Sequence, residues 1–158
     1  MIDWLADELP TWGDLVGRLC VIVDGDNGVG KSDYIAPKIS TVLGGKVVSV
    51  DNYLLRNRAP YLNQIKYDDL RSDVLAAKPV VVEGLCVVKV MSRIGVPFDY
   101  HIFVKRMNFG GWENGGWLDR GAKKPSSPTT RDLVAYYKEC RPFEKCNRLL
   151  EVNPLDFL

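Results

Sequence analysis

Residues Gly25-Asp26-Asn27-Gly28-Val29-Gly30-Lys31-Ser32 follow the pattern GxxxxGK[ST]. Each residue type in that pattern has a chemical task. The glycines let the backbone wrap tightly, so that successive N–H groups face phosphate oxygens. A helix opening directly after the loop adds its positive end. Lys31 reaches the β- and γ-phosphates, and the Ser32 hydroxyl coordinates Mg²⁺. An ordinary Gly-rich turn is the plain alternative. Against it, the loop follows an apolar run and precedes a helical pattern, the context a phosphate-binding loop requires. The expected ligand is therefore a nucleoside triphosphate with Mg²⁺. The loop alone does not choose among kinase, ATPase, GTPase and non-catalytic switch.

The elements that must hold this loop can be read from apolar periodicity. Leu19-Cys20-Val21-Ile22-Val23 is a continuous apolar run ending at Asp24-Gly25, which suits a strand covered on both faces. Runs at 46–50, 79–82, 101–104 and 149–152 are similar, the last being weaker. Helical patterns lie between them. Ile35, Ile39, Val42 and Leu43 make one stripe, with Pro37 a potential kink. The others cover 68–77, with Asp68 as N-cap, then 87–94 and 129–140. Ile2, Leu5, Leu9, Trp12 and Val16 predict one or two short helices ahead of the first strand. Strands alternating with helices predict a three-layer α/β fold of the P-loop NTPase type, its mostly parallel five-stranded sheet covered by helices on both faces. Residues 1–158 read as a single domain. The long aperiodic stretch Asn108–Pro128 predicts a lid at about 106–128, or disorder.

Composition narrows the partners. The formal net charge is +1, so nothing global points to nucleic acid or a membrane surface. The four cysteines, Cys20, Cys86, Cys140 and Cys146, form no CxxC pair, and His101 is the only histidine, which argues for reduced buried thiols rather than zinc. His101 itself reads as a strand-packing residue. No apolar stretch approaches a membrane span, and the N-terminus is acidic where a signal peptide is basic. A cytoplasmic location is expected; homo-oligomerisation is left open.

Three further segments fall into a recognisable order. Val50-Asp51-Asn52-Tyr53 ends the second strand, Val80-Val81-Val82-Glu83-Gly84 ends the third, and residues 99–104 form the fourth and lead into the Gly- and Arg-containing stretch. Tyr136-Tyr137 and Arg141-Pro142 follow on a C-terminal helix. This arrangement, over roughly residues 18–153, resembles the uridine kinase and phosphoribulokinase group of P-loop kinases. The resemblance implies roles. Asp51 would be the base that accepts the proton of an attacking hydroxyl, unless it is only a turn-forming Asp. Glu83 would hold Mg²⁺ with Ser32, unless it is only a charge ending a buried strand. Arg106 and Arg120 would stabilise transferred charge from the lid. Tyr53 either lines the acceptor pocket or is structural. Tyr67-Asp68 stands where the family has a Phe-Asp pair beside the acceptor.

The chain also departs from that group. Residues 61–64, Tyr-Leu-Asn-Gln, lack the family's Asp-His-Pro segment, and Ala77-Lys78-Pro79 leaves no room for its β-hairpin before strand three. These departures argue against uridine as acceptor. In the lid, Lys105-Arg106 is followed by no basic residue until Arg120-Gly121. Residues 105–131 still hold six basic side chains against Glu113 and Asp119. That excess suits closure over a triphosphate, although a solvated basic loop would look alike. Trp112 and Trp117 either stack on a base or pack the lid. No Asn-Lys-x-Asp segment for reading guanine is present. The expected function is transfer of the ATP γ-phosphate to a hydroxyl of a small metabolite. The alternative is a nucleotide-binding regulator or assembly factor with little transferase activity.

Overall fold

The computed structural model describes residues 9–119, 121–153 and 155. Its centre is a parallel sheet of β1 (Cys20–Gly25), β2 (Lys46–Ser49), β3 (Val80–Glu83), β4 (Tyr100–Asn108) and a final strand, β6 (Arg148–Val152). The spatial order is β2-β3-β1-β4-β6. The sixth strand, β5 (Gly111–Trp112), folds back antiparallel on the end of β4, with Met107 opposite Trp112. All five strand runs read from the sequence are present. The register across β1 is tight: Val21 lies between Val81 and Tyr100, and Val23 between Glu83 and Ile102.

Alternation along each strand builds two cores. Cys20, Ile22, Val80, Val82 and Phe103 face one side of the sheet, where α2 (Tyr67–Ala76), α3 (Val87–Ile94) and α4 (Pro128–Cys140) cover them. Val21, Val23, Val81, Ile102 and Val104 face the other side. There Trp12 and Leu15 of a 3₁₀ helix (Leu9–Leu15) and Ile35 and Ile39 at α1 (Ala36–Leu43) close over them. A central strand buried on both faces must be apolar throughout, because any polar group there would need its own partner. Asp24 in β1 breaks that rule at 0% exposure. Each fully buried aliphatic contributes about 1.5–3 kcal/mol, so these two layers fix the sheet. The result is the expected three-layer α/β arrangement, a mostly parallel sheet covered on both faces, with the loop Gly25–Ser32 at the carboxyl end of the central strand.

Several boundaries differ from expectation. Asp68 sits inside the first turn of α2 and does not cap it; Lys66 precedes the helix and makes no side-chain cap. A carboxylate in a first turn still favours the helix's positive end. Pro37 occupies the first turn of α1, directly after a π-helical turn over Lys31–Ile35, so the proline stands where the helical geometry changes. Of the N-terminal pattern, Ile2 and Leu5 lie outside the described residues, and Val16 is exposed. The stretch after β4 is not featureless. It carries β5, a 3₁₀ helix (Gly115–Leu118) and the N-cap of α4, Ser127, whose Oγ accepts from the Thr130 N–H at 3.5 Å. A short helix, α5 (Pro142–Lys145), follows α4. No helix among the described residues is long and apolar enough to cross a membrane.

Candidate functional site

The loop between β1 and α1 is shaped by close backbone approaches. Gly25 has φ +131°, and a Cβ there would lie 2.1 Å from the Val104 carbonyl oxygen, so only glycine lets β1 end against β4. Gly28 has φ +68°, and a Cβ there would lie 2.8 Å from Nη1 of Arg106. The Arg106 guanidinium therefore rests on the loop. A π-helical turn over Lys31–Ile35 follows and runs into α1. Lys31 Nζ turns back and donates to the carbonyls of Gly25, at 3.2 Å, and Asp26. Its side chain is buried, and burial lowers the ammonium's pKa below the ordinary lysine value; Asp24, Glu83, Asp26 and Asp51 oppose that shift without overcoming it.

A cleft of about 200 Å³ opens at the loop, lined by residues 27–33 with Asp51, Glu83, Gly84 and Leu85. Of the eight residues read as nucleotide-binding, Asn27, Gly28, Val29, Gly30, Lys31 and Ser32 line it. Gly25 and Asp26 support the loop from behind. Glu83 ends β3 at 2% exposure and accepts from Ser32 Oγ at 2.9 Å. Asp51 follows β2 on a 3₁₀ turn (Val50–Tyr53), is exposed to the cleft, and accepts from Tyr61 OH at 2.8 Å. Burial and the Asp51 charge push the Tyr61 phenol up, so it stays a donor. Ser32 Oγ and Glu83 Oε1 are adjacent hard oxygens, the donor type Mg²⁺ takes. Among the described residues no group of three or more His, Cys, Asp or Glu could hold a metal by itself. A divalent ion at Ser32 and Glu83 would thus draw the rest of its shell from phosphate and water, as Mg²⁺ commonly does.

Two buried carboxylates that the sequence reading did not single out as a network tie the loop to the rest of the fold. Asp24 accepts from the Gly25 N–H at 2.8 Å, the Val87 N–H at 3.4 Å and the Tyr136 hydroxyl. His101 Nε2 lies 3.7 Å from it, and the ring meets Phe98 edge-on, so His101 is a packing residue of β4. Asp26, also at 0% exposure, accepts from Tyr137 OH at 2.5 Å and Asn114 Nδ2 at 2.7 Å on one oxygen. Its other oxygen takes the Arg106 N–H and Trp112 Nε1, both at 2.7 Å. The available signal was the Asp-Gly-Asp spacing around Gly25 combined with the Tyr136-Tyr137 pair.

The remaining expected residues divide. Arg106 reaches the loop while its Nε pairs with Glu113 at 2.7 Å. Arg120 lies outside the described residues. Trp112 packs among Phe103, Tyr137 and Phe143, with its centroid 4.9 Å from that of Phe143, and Lys105 lies over it at 4.6 Å. It is a packing residue, not an exposed face for a base. Tyr53 donates to Asp73 at 2.6 Å and its phenol is pushed up to about 12 by burial and that bond. Asp68 is exposed on α2. Neither Tyr53 nor Asp68 borders the cleft. A second cavity, about 220 Å³, adjoins the first through Asn27 and Leu85 and is walled by Arg106, Trp117, Thr129, Thr130 and Leu133, among others.

Comparison with known proteins adds little to this geometry. No family model and no curated protein matches the chain. Among solved structures it is similar to the shikimate kinase from Bacteroides thetaiotaomicron, at 10% identity and a TM-score of 0.45, over 85% of this chain and 86% of that one.

Proposed function

We propose that the chain is an ATP-dependent phosphotransferase that moves the γ-phosphate to a hydroxyl of a small metabolite. The observation that carries this reading is the convergence of Lys31, Ser32, Asp51 and Glu83 on one cleft at the carboxyl ends of β1, β2 and β3. In open parallel sheets that is where ligands gather. Loop backbone N–H groups from residues 27–31 would cradle the phosphates. Asp51, exposed and oriented by Tyr61, would take the proton of the acceptor hydroxyl. The acceptor oxygen then bonds to the γ-phosphorus as the bond from that phosphorus to the bridging oxygen breaks, leaving ADP. Lys31 and Arg106, with Arg120 from the lid at about 106–128, would offset the charge on the moving group. Ser32 and Glu83 would hold Mg²⁺, which would supply further charge neutralisation on the phosphates.

The acceptor would occupy the second cavity, which meets the first at Asn27 and Leu85. Its walls mix Thr129, Thr130, Asn114 and Arg106 with Leu85, Leu133 and Trp117, which suits a small polar molecule. Only residues 77–79 separate α2 from β3, so the base-holding hairpin of the uridine kinase group has no counterpart, and a nucleoside acceptor is disfavoured. One observation favours the regulator reading instead: Arg106 is already paired with Glu113. Acceptor-dependent ADP release separates the two. A panel of small hydroxylated metabolites should contain at least one that raises release above the rate without acceptor. A regulator would bind ATP and respond to none.

A further inference from the structure

The second residue of the phosphate loop has no ligand-facing task. Its side chain points away from the cleft, at 0% exposure, and all four of its hydrogen bonds go to the polypeptide. A buried carboxylate is costly unless it is fully satisfied. Asp26 is satisfied by β4 through the Arg106 N–H, by the segment after β4 through Trp112 Nε1 and Asn114 Nδ2, and by α4 through Tyr137 OH. Its own N–H donates to the Val104 carbonyl at 2.9 Å. One residue thus fastens the phosphate loop to the base of the lid on both its backbone and its side chain.

Arg106 is the residue this fastening controls. Its N–H is held by Asp26, its carbonyl accepts from the Glu113 N–H at 2.9 Å, and its guanidinium is drawn between Gly28 and the Glu113 carboxylate. A long arginine side chain has many rotamers, and fixing its backbone at the loop shortens the list that can reach Gly28. We infer that Asp26 is a positioning residue: its carboxylate latches the β4–β5 hairpin to the phosphate loop and so sets the Arg106 guanidinium over the phosphates. This inference rests on the nucleotide-binding reading of the loop.

The side chains around Asp26 also say which substitution should be tolerated. The partners on one oxygen are adaptable: the Asn114 amide can flip and the Tyr137 hydroxyl can rotate to accept. The partners on the other oxygen, a backbone N–H and an indole N–H, can only donate. An asparagine can therefore give its carbonyl to Arg106 and Trp112 and its amide to Asn114 and Tyr137. An alanine can do neither.

The test is a double-mutant cycle on MgATP affinity, with Asp26→Ala and Arg106→Ala singly and together. If Asp26 acts through Arg106, Asp26→Ala should weaken MgATP binding by about 10-fold with Arg106 present and by less than about 2-fold without it, a coupling within the range of contacting groups. Asp26→Asn should stay within about 3-fold of wild type. Equal losses in both backgrounds, or no loss in either, would overturn the positioning role while leaving the nucleotide site standing. If Asp26→Ala does not fold, Trp112→Phe removes one of the latch donors, keeps most of the ring packing, and enters the same cycle. Its loss of affinity should also vanish when Arg106 is absent, and a persistent loss would refute the latch. Wild-type protein that binds no MgATP would overturn the nucleotide reading and the inference together.

Discussion

Lys31 offers a perturbation in which binding and folding should separate. Replacing it by methionine keeps the length of the side chain and removes the charge. In the free protein the change deletes two Nζ bonds, to the Gly25 and Asp26 carbonyls, together about 1–3 kcal/mol. It also removes a buried ammonium, whose desolvation outweighs the attraction of four nearby carboxylates, since its pKa is lowered overall. The two effects oppose each other, leaving a change of roughly 1 kcal/mol in either direction. For a chain of 158 residues that is about 2–4 °C in Tm. With ligand the balance is one-sided. Wild-type protein at a ligand concentration of about 100 Kd gains about 2.7 kcal/mol, or roughly 5–11 °C. If Lys31 contributes about 100-fold to triphosphate affinity, Lys31→Met under the same conditions keeps only about 0.4 kcal/mol, near 1 °C. Differential scanning fluorimetry with and without MgATP reads both numbers. An undiminished ligand shift would refute the phosphate-loop assignment. A mutant that does not fold would show Lys31 to be a structural bridge of the loop.

The other expectations concern the groups around it. Asp51→Asn should keep nucleotide affinity within a few-fold, because the amide oxygen still accepts from Tyr61, while transfer falls by about 100-fold or more in a steady-state assay; undiminished turnover would exclude Asp51 as the base. Glu83→Gln retains an acceptor for Ser32 but loses the charge, so calorimetry should show weaker binding with Mg²⁺ and nearly unchanged binding in EDTA; equal losses would make Glu83 structural. Triphosphate binds the charged form of Lys31, whose pKa in the free protein is lowered by burial. Affinity should therefore fall as pH rises through that lowered value, ahead of the ordinary lysine range. Stability without nucleotide should rise over the window between the two values, because there the unfolded chain holds the proton that the folded chain has released. An affinity flat up to the ordinary lysine range would contradict the buried-ammonium picture.

The parts of the structure legible in the sequence are those set by local physics. Apolar runs such as residues 19–23 and 101–104 can only be strands of a covered sheet, and α3 matches its apolar pattern end to end. The loop at Gly25–Ser32 and the carboxyl-end positions of Asp51 and Glu83 followed from motif and order. The segment after β4 did not, because a two-residue strand and a single 3₁₀ turn carry no periodicity to detect. Trp112 was undecidable for a related reason: its packing partners Tyr137 and Phe143 are 25 and 31 positions away. Asp24 and Asp26 were equally hidden. In the sequence Asp24 is the end of an apolar run and Asp26 one of the nucleotide-binding residues of the loop, and only the fold brings Tyr136, Tyr137, Trp112 and Asn114 to them. Tyr53 and Asp68 were placed by family likeness, and the structure sets both outside the cleft walls.

Transfer itself is the central claim, and the most direct measurement follows the phosphorus. Wild-type protein incubated with γ-³²P-labelled ATP, Mg²⁺ and a panel of small hydroxylated metabolites should move label into a new organic phosphate, only when a competent acceptor is present. Asp51→Asn should abolish that product while still binding ATP. Label that remains in ATP, or appears only as inorganic phosphate whatever acceptor is added, would contradict the account and leave a nucleotide-binding protein without a transfer reaction.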